Sequence, residues 1–400
     1  MNLLGAVYLL LVVANILCII SGKNHKYIGA ITTIFLMLFL AGIRYNGSVI
    51  GYDLRNYEMM YNQPSVISSF EFGFKFINYC AGFMGLSFEQ FHFVIVAICI
   101  ISIVCASSRM NSNINLVMIA YLLYFCLPAS GQLKNLCAMS IFVHIFPIPK
   151  VASRKFLKKE VALLILASSF HFSFVSYFIL LIINIRCFMF NKQQFYKIFF
   201  TVVFLFSLIS IGLKSSSLAM LFLQNLFGIM GGTGEFYSAR YLSSITGYSS
   251  LATIAITIFT IFGILYWRKV FFGKSVIVDR DSCTCKDMDV PAGYIIKGKS
   301  EKGLILPEDT ETILGVIMLS SVFFPLVILN ASFYRLIRDL TLVAIIHLGV
   351  HCNKLYVGVK KRMIVLLSVV GICCGWFLFD VVIKGYWASF IDNYFVNSIL

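Results

Sequence analysis

Val161-Ala162-Leu163-Leu164-Ile165-Leu166-Ala167-Ser168-Ser169-Phe170-His171-Phe172-Ser173-Phe174-Val175-Ser176-Tyr177-Phe178-Ile179-Leu180-Leu181-Ile182-Ile183-Asn184-Ile185 is the stretch on which the fold turns. It carries no Lys, Arg, Asp or Glu over 25 residues. A helix crosses a bilayer with about 20 apolar residues, within a range of ~17–25, so one continuous helix is long enough. Near the centre, however, Ser168-Ser169-Phe170-His171-Phe172-Ser173 offers polar groups that suit a break. Two half-helices meeting near His171 would return the chain to the side it came from. The choice sets the side of every later segment.

The rest of the chain supports a membrane setting for either choice. Of 400 residues, 60% are hydrophobic and 12% charged, against about 25% charged in a typical globular domain. The mean hydropathy is +0.91. Apolar runs fit spans at 3–20, 27–43, 90–107, 114–130, 131–147, 197–213, 248–266, 312–329, 340–353 and 363–380. With the N-terminus outside and 161–185 re-entrant, 23 Lys/Arg fall on inside segments and 9 on outside ones. If 161–185 is a single span, the split becomes 13 inside and 19 outside. Basic residues concentrate on the cytoplasmic side, so the re-entrant arrangement is expected. The fold class is therefore all-α: one polytopic transmembrane helix bundle over 1–400, with about ten spans plus a re-entrant helical hairpin near His171. Its outside loops are 44–89 and 214–247, and its large inside loop is 267–311. Met1-Asn2-Leu3 opens without a basic segment, so 3–20 is expected to be a retained span.

Composition also excludes functions. The net charge of +15 sits in short segments between spans, where it biases topology and meets lipid headgroups; no nucleic-acid partner is expected. The inside loop 267–311 is too small for a catalytic domain. That rules out a pump with its own nucleotide domain and a glycosyltransferase with a cytoplasmic sugar-nucleotide fold. Of the 12 Cys, Cys18, Cys99, Cys105, Cys126, Cys373 and Cys374 lie in apolar runs and are expected to pack as small hydrophobes. Cys283 and Cys285 form a lone C-x-C without a second pair, which argues against zinc. Backbone breaks at membrane depth only where it is buried in protein or lines a wet cavity, so the interruption at His171 is itself a candidate site.

Polar groups gather on the outside face. Gly42-Ile43-Arg44-Tyr45-Asn46-Gly47-Ser48-Val49-Ile50-Gly51-Tyr52-Asp53-Leu54-Arg55-Asn56-Tyr57 is rich in Arg, Tyr and Gly, with one carboxylate. Lys134 follows at the mouth of the fifth span, then His171, Arg240, Arg335 and Arg338. Cations beside an apolar interior are costly and usually functional. Several aimed at one cavity suit a pyrophosphate, which guanidinium groups bind through forked hydrogen bonds.

Arg44-Tyr45 with Gly51-x-Asp53-x-x-x-Tyr57, then Phe70-Glu71-x-Gly73-Phe74, resembles the opening signature of Wzy/EpsG-type O-antigen and exopolysaccharide polymerases. Lys134-Asn135-x-x-Ala138, the isolated His171 and Tyr334-Arg335 match later features of that family. The chain departs from it in the spacing between Arg44 and Gly51, in Leu54 for an aromatic, in Phe72 for Pro and in Lys134 for Arg. The resemblance implies a metal-independent glycosyltransferase without a cofactor. Its substrate would be an undecaprenyl-pyrophosphate-linked oligosaccharide, at the outer face of the bacterial plasma (inner) membrane. The growing glycan would pass from its lipid pyrophosphate to the non-reducing end of an incoming lipid-linked repeat unit. Pyrophosphate binding falls to Arg44, Lys134 and Arg335, with Arg240 and Arg338 as second choices. Asp53 and His171 are the candidate bases for the acceptor hydroxyl. Tyr45, Tyr52 and Tyr57 are candidate sugar platforms. Membrane lipids, a chain-length regulator and a flippase are the implied partners.

Plainer readings stand beside these. Span-end arginines snorkel to headgroups, and tyrosines form interface belts. His92, His144, His347 and His351 each sit on an apolar helix, where packing is the expected role. Asp279-x-Asp281 and Asp287-x-Asp289 read as parts of a solvated mixed-charge loop. Glu71, on an amphipathic segment 70–86, is expected to orient the outside loop. A flippase or transporter of lipid-linked oligosaccharide is the main rival function, and an O-antigen ligase the nearer one. Transporters favour repeats and charges deep in several spans, neither of which is evident here.

Overall fold

The computed structural model describes residues 3–22, 26–42, 52–63, 71–146, 154–179, 192–213, 320–329, 334–352 and 358–383, with residues 181, 255, 277–278 and 295–296 besides. These residues are helical, apart from short connections and a parallel pairing of β1 (Ile277–Val278) with β2 (Ile295–Ile296). The helices are α1 (Leu3–Ser21), α2 (Lys26–Gly42), α3 (Tyr52–Asn62), α4 (Phe72–Phe83), α5 (Phe88–Arg109), α6 (Ile114–Ala120), α7 (Cys126–Gly131) and α8 (Leu133–Phe142). They continue as α9 (Arg154–Phe170), α10 (Lys192–Leu213), α11 (Phe324–Leu329), α12 (Tyr334–Cys352) and α13 (Val359–Phe377).

Local chemistry sets several boundaries. Ser87 and Gln90 form a reciprocal capping box at the start of α5, with Glu89 in the first turn and Arg109 in the last, as the helix dipole favours. A π-helical turn, Tyr121–Phe125, joins α6 to α7. Pro128 accounts for it, because it supplies no N–H for the carbonyl of Tyr124 and its ring crowds that carbonyl. Asn111, at φ 54, closes the turn after α5 in the left-handed conformation that Asn tolerates.

Helix α6 and almost all of α12 are buried, and α1, α2, α5 and α13 pack around α6. The outward faces of the surrounding helices are as apolar as their inner ones: Leu10, Leu17, Ile34, Ile98 and Leu367 are all exposed. A bundle with that surface belongs in lipid rather than water. Among the described residues, Phe88–Arg109 and Val359–Asp380 are long and apolar enough to cross a bilayer as single helices. The described residues thus form a helical bundle with the surface of a membrane protein.

The described helix ends sort onto two faces. At one, Arg109 meets His144 (3.5 Å), and Asn113 N–H donates to the Gly349 carbonyl (3.0 Å). Gly22 lies there too, so close to Arg362 that a Cβ would overlap the guanidinium. At the opposite face stand Glu71, Lys134, His171, Tyr334 and Asp380. This separation agrees with the expected division of basic and site-bearing ends.

The decisive stretch breaks where its sequence suggested. Helix α9 ends at Phe170, His171 is extended (φ −147, ψ 114), and a 3-10 helix runs Phe172–Phe178. Phe174 and Tyr177 pack on Phe142, with ring centroids 5.4 and 4.5 Å apart. Phe142 lies eight residues below Lys134 on α8, about 12 Å along the axis. A chain continuing straight beyond His171 would leave Phe142 behind; this one folds back toward it. Leu180 and residues 182–185 lie outside the described residues.

Candidate functional site

Four elements converge at the His171 end. Glu71 occupies the N-cap position of α4, yet its carboxylate reaches away from its own helix. Oε2 accepts from Lys134 Nζ at 2.7 Å, and Oε1 accepts from the Phe172 backbone N–H at 3.2 Å. One carboxylate thereby ties the start of α8 to the break after α9. Gly73 makes the approach feasible: a Cβ there would lie 2.6 Å from Ser169 Oγ and 2.9 Å from the Ser169 carbonyl. Both side chains of the pair are nearly enclosed, 10% exposed for Lys134 and 8% for Glu71. Burial pushes the Glu71 carboxyl up, but Lys134 and the hydrogen bonds outweigh it and hold the group below its ordinary value.

The His171 backbone N–H still bonds Ala167 O (3.1 Å), closing α9, and its carbonyl accepts from Phe174 N (3.0 Å), opening the 3-10 turn. Its imidazole Nδ1 accepts from the Ser173 N–H (3.3 Å) and lies 2.7 Å from Ser173 Oγ. The ring stands in the field of Glu71, Lys134, Arg335 and Arg338.

The start of α12 supplies the other wall. Tyr334 and Arg338, four residues apart, share a face, and the guanidinium sits 5.7 Å from the Tyr334 ring centroid. Arg338 is 1% exposed; it donates to Gln132 Oε1 (2.9 Å) and to Asp339 Oδ1 (3.3 Å). Asn135 donates to the same Asp339 oxygen at 3.2 Å. Beyond them Asp380, on a π-helical turn Leu378–Ile383 that extends α13, accepts from Tyr334 OH (2.6 Å) and from Tyr124 OH. The π turn at Tyr121–Phe125 packs on α13 and brings Tyr124 to this carboxylate. Cations and carboxylates alternate through the cluster, as burial of charge requires.

A model described as the EpsG family matches residues 27–395. The chain belongs to the EpsG family. No curated protein and no solved structure matches it. EpsG membership points to polysaccharide polymerisation as the type of function, and to a membrane location.

Of the residues singled out from sequence, this EpsG-family structure brings together Lys134, His171, Arg335 and Arg338. Arg335 is half-buried, one turn before Asp339. Tyr52 and Asp53 open α3, but their side chains lie outside what is described, as do Arg44, Tyr45 and Arg240 altogether. The Tyr57 ring is buried against Phe74, 5.3 Å between centroids, and packs into the bundle. Three histidines take the structural roles expected of them. His92 stacks on Phe88, His144 bonds Ser102, and His347 packs edge-on against Phe146.

Sequence reading passed over Gln132, Tyr124, Asp339 and Asp380, and gave Glu71 only a loop-orienting part. Two of these carried a signal. Asp339 and Asp380 border apolar runs at ends that the charge count expects outside, where an acid is as conspicuous as an Arg. Gln132 and Tyr124 carried none, since polar residues at span ends are common.

Proposed function

We propose that this EpsG-family chain is a repeat-unit polymerase. It transfers a glycan from undecaprenyl pyrophosphate to the non-reducing end of an incoming lipid-linked repeat unit, at the outer face of the bacterial plasma membrane. The observation that carries this reading is the convergence of Lys134, Arg335 and Arg338 around His171, at the face opposite Arg109 and Arg362. That arrangement fits about ten spans with the His171 hairpin entering from within and its tip near the outer surface.

Pyrophosphate is already a good leaving group, so the protein's task is positioning and charge stabilisation. Arg335 and Lys134 hold the departing pyrophosphate, and Arg44 and Arg240 from the outside loops complete its cradle. Arg338, locked between Asp339 and Gln132, fixes the geometry of α12 beneath them. Asp53 is the group offered to the acceptor hydroxyl, and Tyr45 and Tyr52 the faces offered to sugars. A chain-length regulator and a flippase work beside it on the same lipid-linked pool.

The test is polymer length in a deletion strain complemented with wild type or with Arg44→Ala, Asp53→Ala or Arg335→Ala, at matched protein levels. Collapse of the glycan ladder to single capped repeats in the deletion and in Arg335→Ala is the expected result. Loss of all surface glycan with accumulation of lipid-linked units would favour the flippase or ligase instead.

A further inference from the structure

The 3-10 helix after His171 begins with backbone N–H groups that have no partner within the helix, as every helix start does. His171 stands at its N-cap, and its imidazole fills the place usually taken by Asn, Asp or Ser. The cap has a chemical consequence. A backbone N–H can only donate, so the Nδ1 atom that accepts from Ser173 N–H at 3.3 Å carries no proton. Ser173 Oγ, 2.7 Å from the same atom, then acts as a second donor. In the neutral ring the proton must sit on Nε2. Nε2 has no hydrogen-bond partner among the described residues.

We propose that the cap of the 3-10 helix fixes His171 as a neutral hydrogen-bond donor, presenting Nε2–H to an oxygen of the substrate's pyrophosphate. The assignment rests on the polymerase reading for the identity of that oxygen, but the tautomer itself does not. Two roles fall away while the cap is intact. A base acting through Nε2 would need that nitrogen bare, and a cationic imidazolium would need a proton on Nδ1. The surroundings agree with a neutral donor: Lys134, Arg335 and Arg338 supply positive charge around the ring, and Glu71 opposes them. Ser173 is a positioning residue, acting on substrate only through the ring. The proton of the acceptor hydroxyl must then go to another group, and Asp53 is the one the sequence provides.

Nitrogen-15 NMR of histidine-labelled protein in nanodiscs, compared with His171→Gln to identify the signal, reads the tautomer directly. A bare Nδ1 with a protonated Nε2 is expected between pH 6 and 8, about one unit either side of neutrality. A protonated Nδ1 would overturn the assignment whatever reaction the protein performs. Polymer length tests the role. His171→Asn keeps an acceptor for the cap but lacks any N–H at the Nε2 position. It should therefore match wild type in protein level and thermal stability, while polymer yield falls on the order of tenfold or more, the worth of at least one hydrogen bond. Wild-type polymer from His171→Asn would overturn the donor role. A wild-type ladder from both His171→Asn and Arg335→Ala would instead overturn the polymerase site.

Discussion

Replacing Lys134 by Met removes the ammonium and keeps most of the stem, which isolates the charge. Glu71 would be left with the Phe172 N–H as its remaining partner from the described contacts, at 8% side-chain exposure. Breaking one side of a buried ion pair costs about 3–5 kcal/mol, because the other charge stays desolvated. Little of that is discounted here, since both side chains are about nine-tenths enclosed. Glu71→Gln keeps an acceptor for Phe172 but removes the charge facing Lys134, and should cost about 1.5–3 kcal/mol. The double variant has neither charge left unpaired, so its cost should fall well below the sum. Equilibrium unfolding in mixed micelles supplies the cycle, with a coupling of at least ~1 kcal/mol expected for residues in contact. Acid supplies a second reading. The Glu71 carboxyl is held below its ordinary value, so the pair's contribution is complete above the unfolded carboxyl's pKa of about 4.3 and is lost as pH falls through the lower folded value. The gap between wild type and Glu71→Gln should therefore close only at strongly acidic pH. Strict additivity of the two single variants, or a gap that closes near neutral pH, would refute the buried pair.

Two further outcomes follow from the packing and the proposed orientation. Gly73→Ala forces a methyl against the Ser169 carbonyl, which belongs to backbone and cannot swing aside; a loss of about 1–3 kcal/mol is expected, with polymer yield falling as the Glu71 contacts to Lys134 and Phe172 loosen. A cysteine placed at Gly85 in a background lacking native cysteines should react with membrane-impermeant maleimide in intact cells, and one at Asn111 only after permeabilisation; the reverse pattern would invert the bundle.

Legibility differed from feature to feature, for identifiable reasons. The break at His171 was readable because three serines and a histidine interrupt an apolar run, and because basic residues on either side of it sort only one way. The packing roles of His92, His144 and His347 were readable from their isolation on apolar helices. The burial of Tyr57 was not readable, because motif position says nothing about which side of a short helix faces the core. Glu71 was placed near the right loop, but its partner Lys134 lies 63 residues away, and no spacing rule links them. Asp380 and Tyr124 are 256 residues apart and meet through two π-helical turns. One of those turns traces to Pro128; the structure gives no local cause for the other.

Composition, hydropathy and the Lys/Arg count were enough to establish a helical membrane chain and to divide its ends, because a bilayer imposes a one-dimensional test on every segment. Those quantities are properties of the chain read in order. Which cation meets which carboxylate depends instead on the helix faces that come together. A buried polar group takes whatever partner packing brings within about 3 Å. Only the folded bundle placed Glu71 between Lys134 and Phe172, and those contacts shape what the site can do.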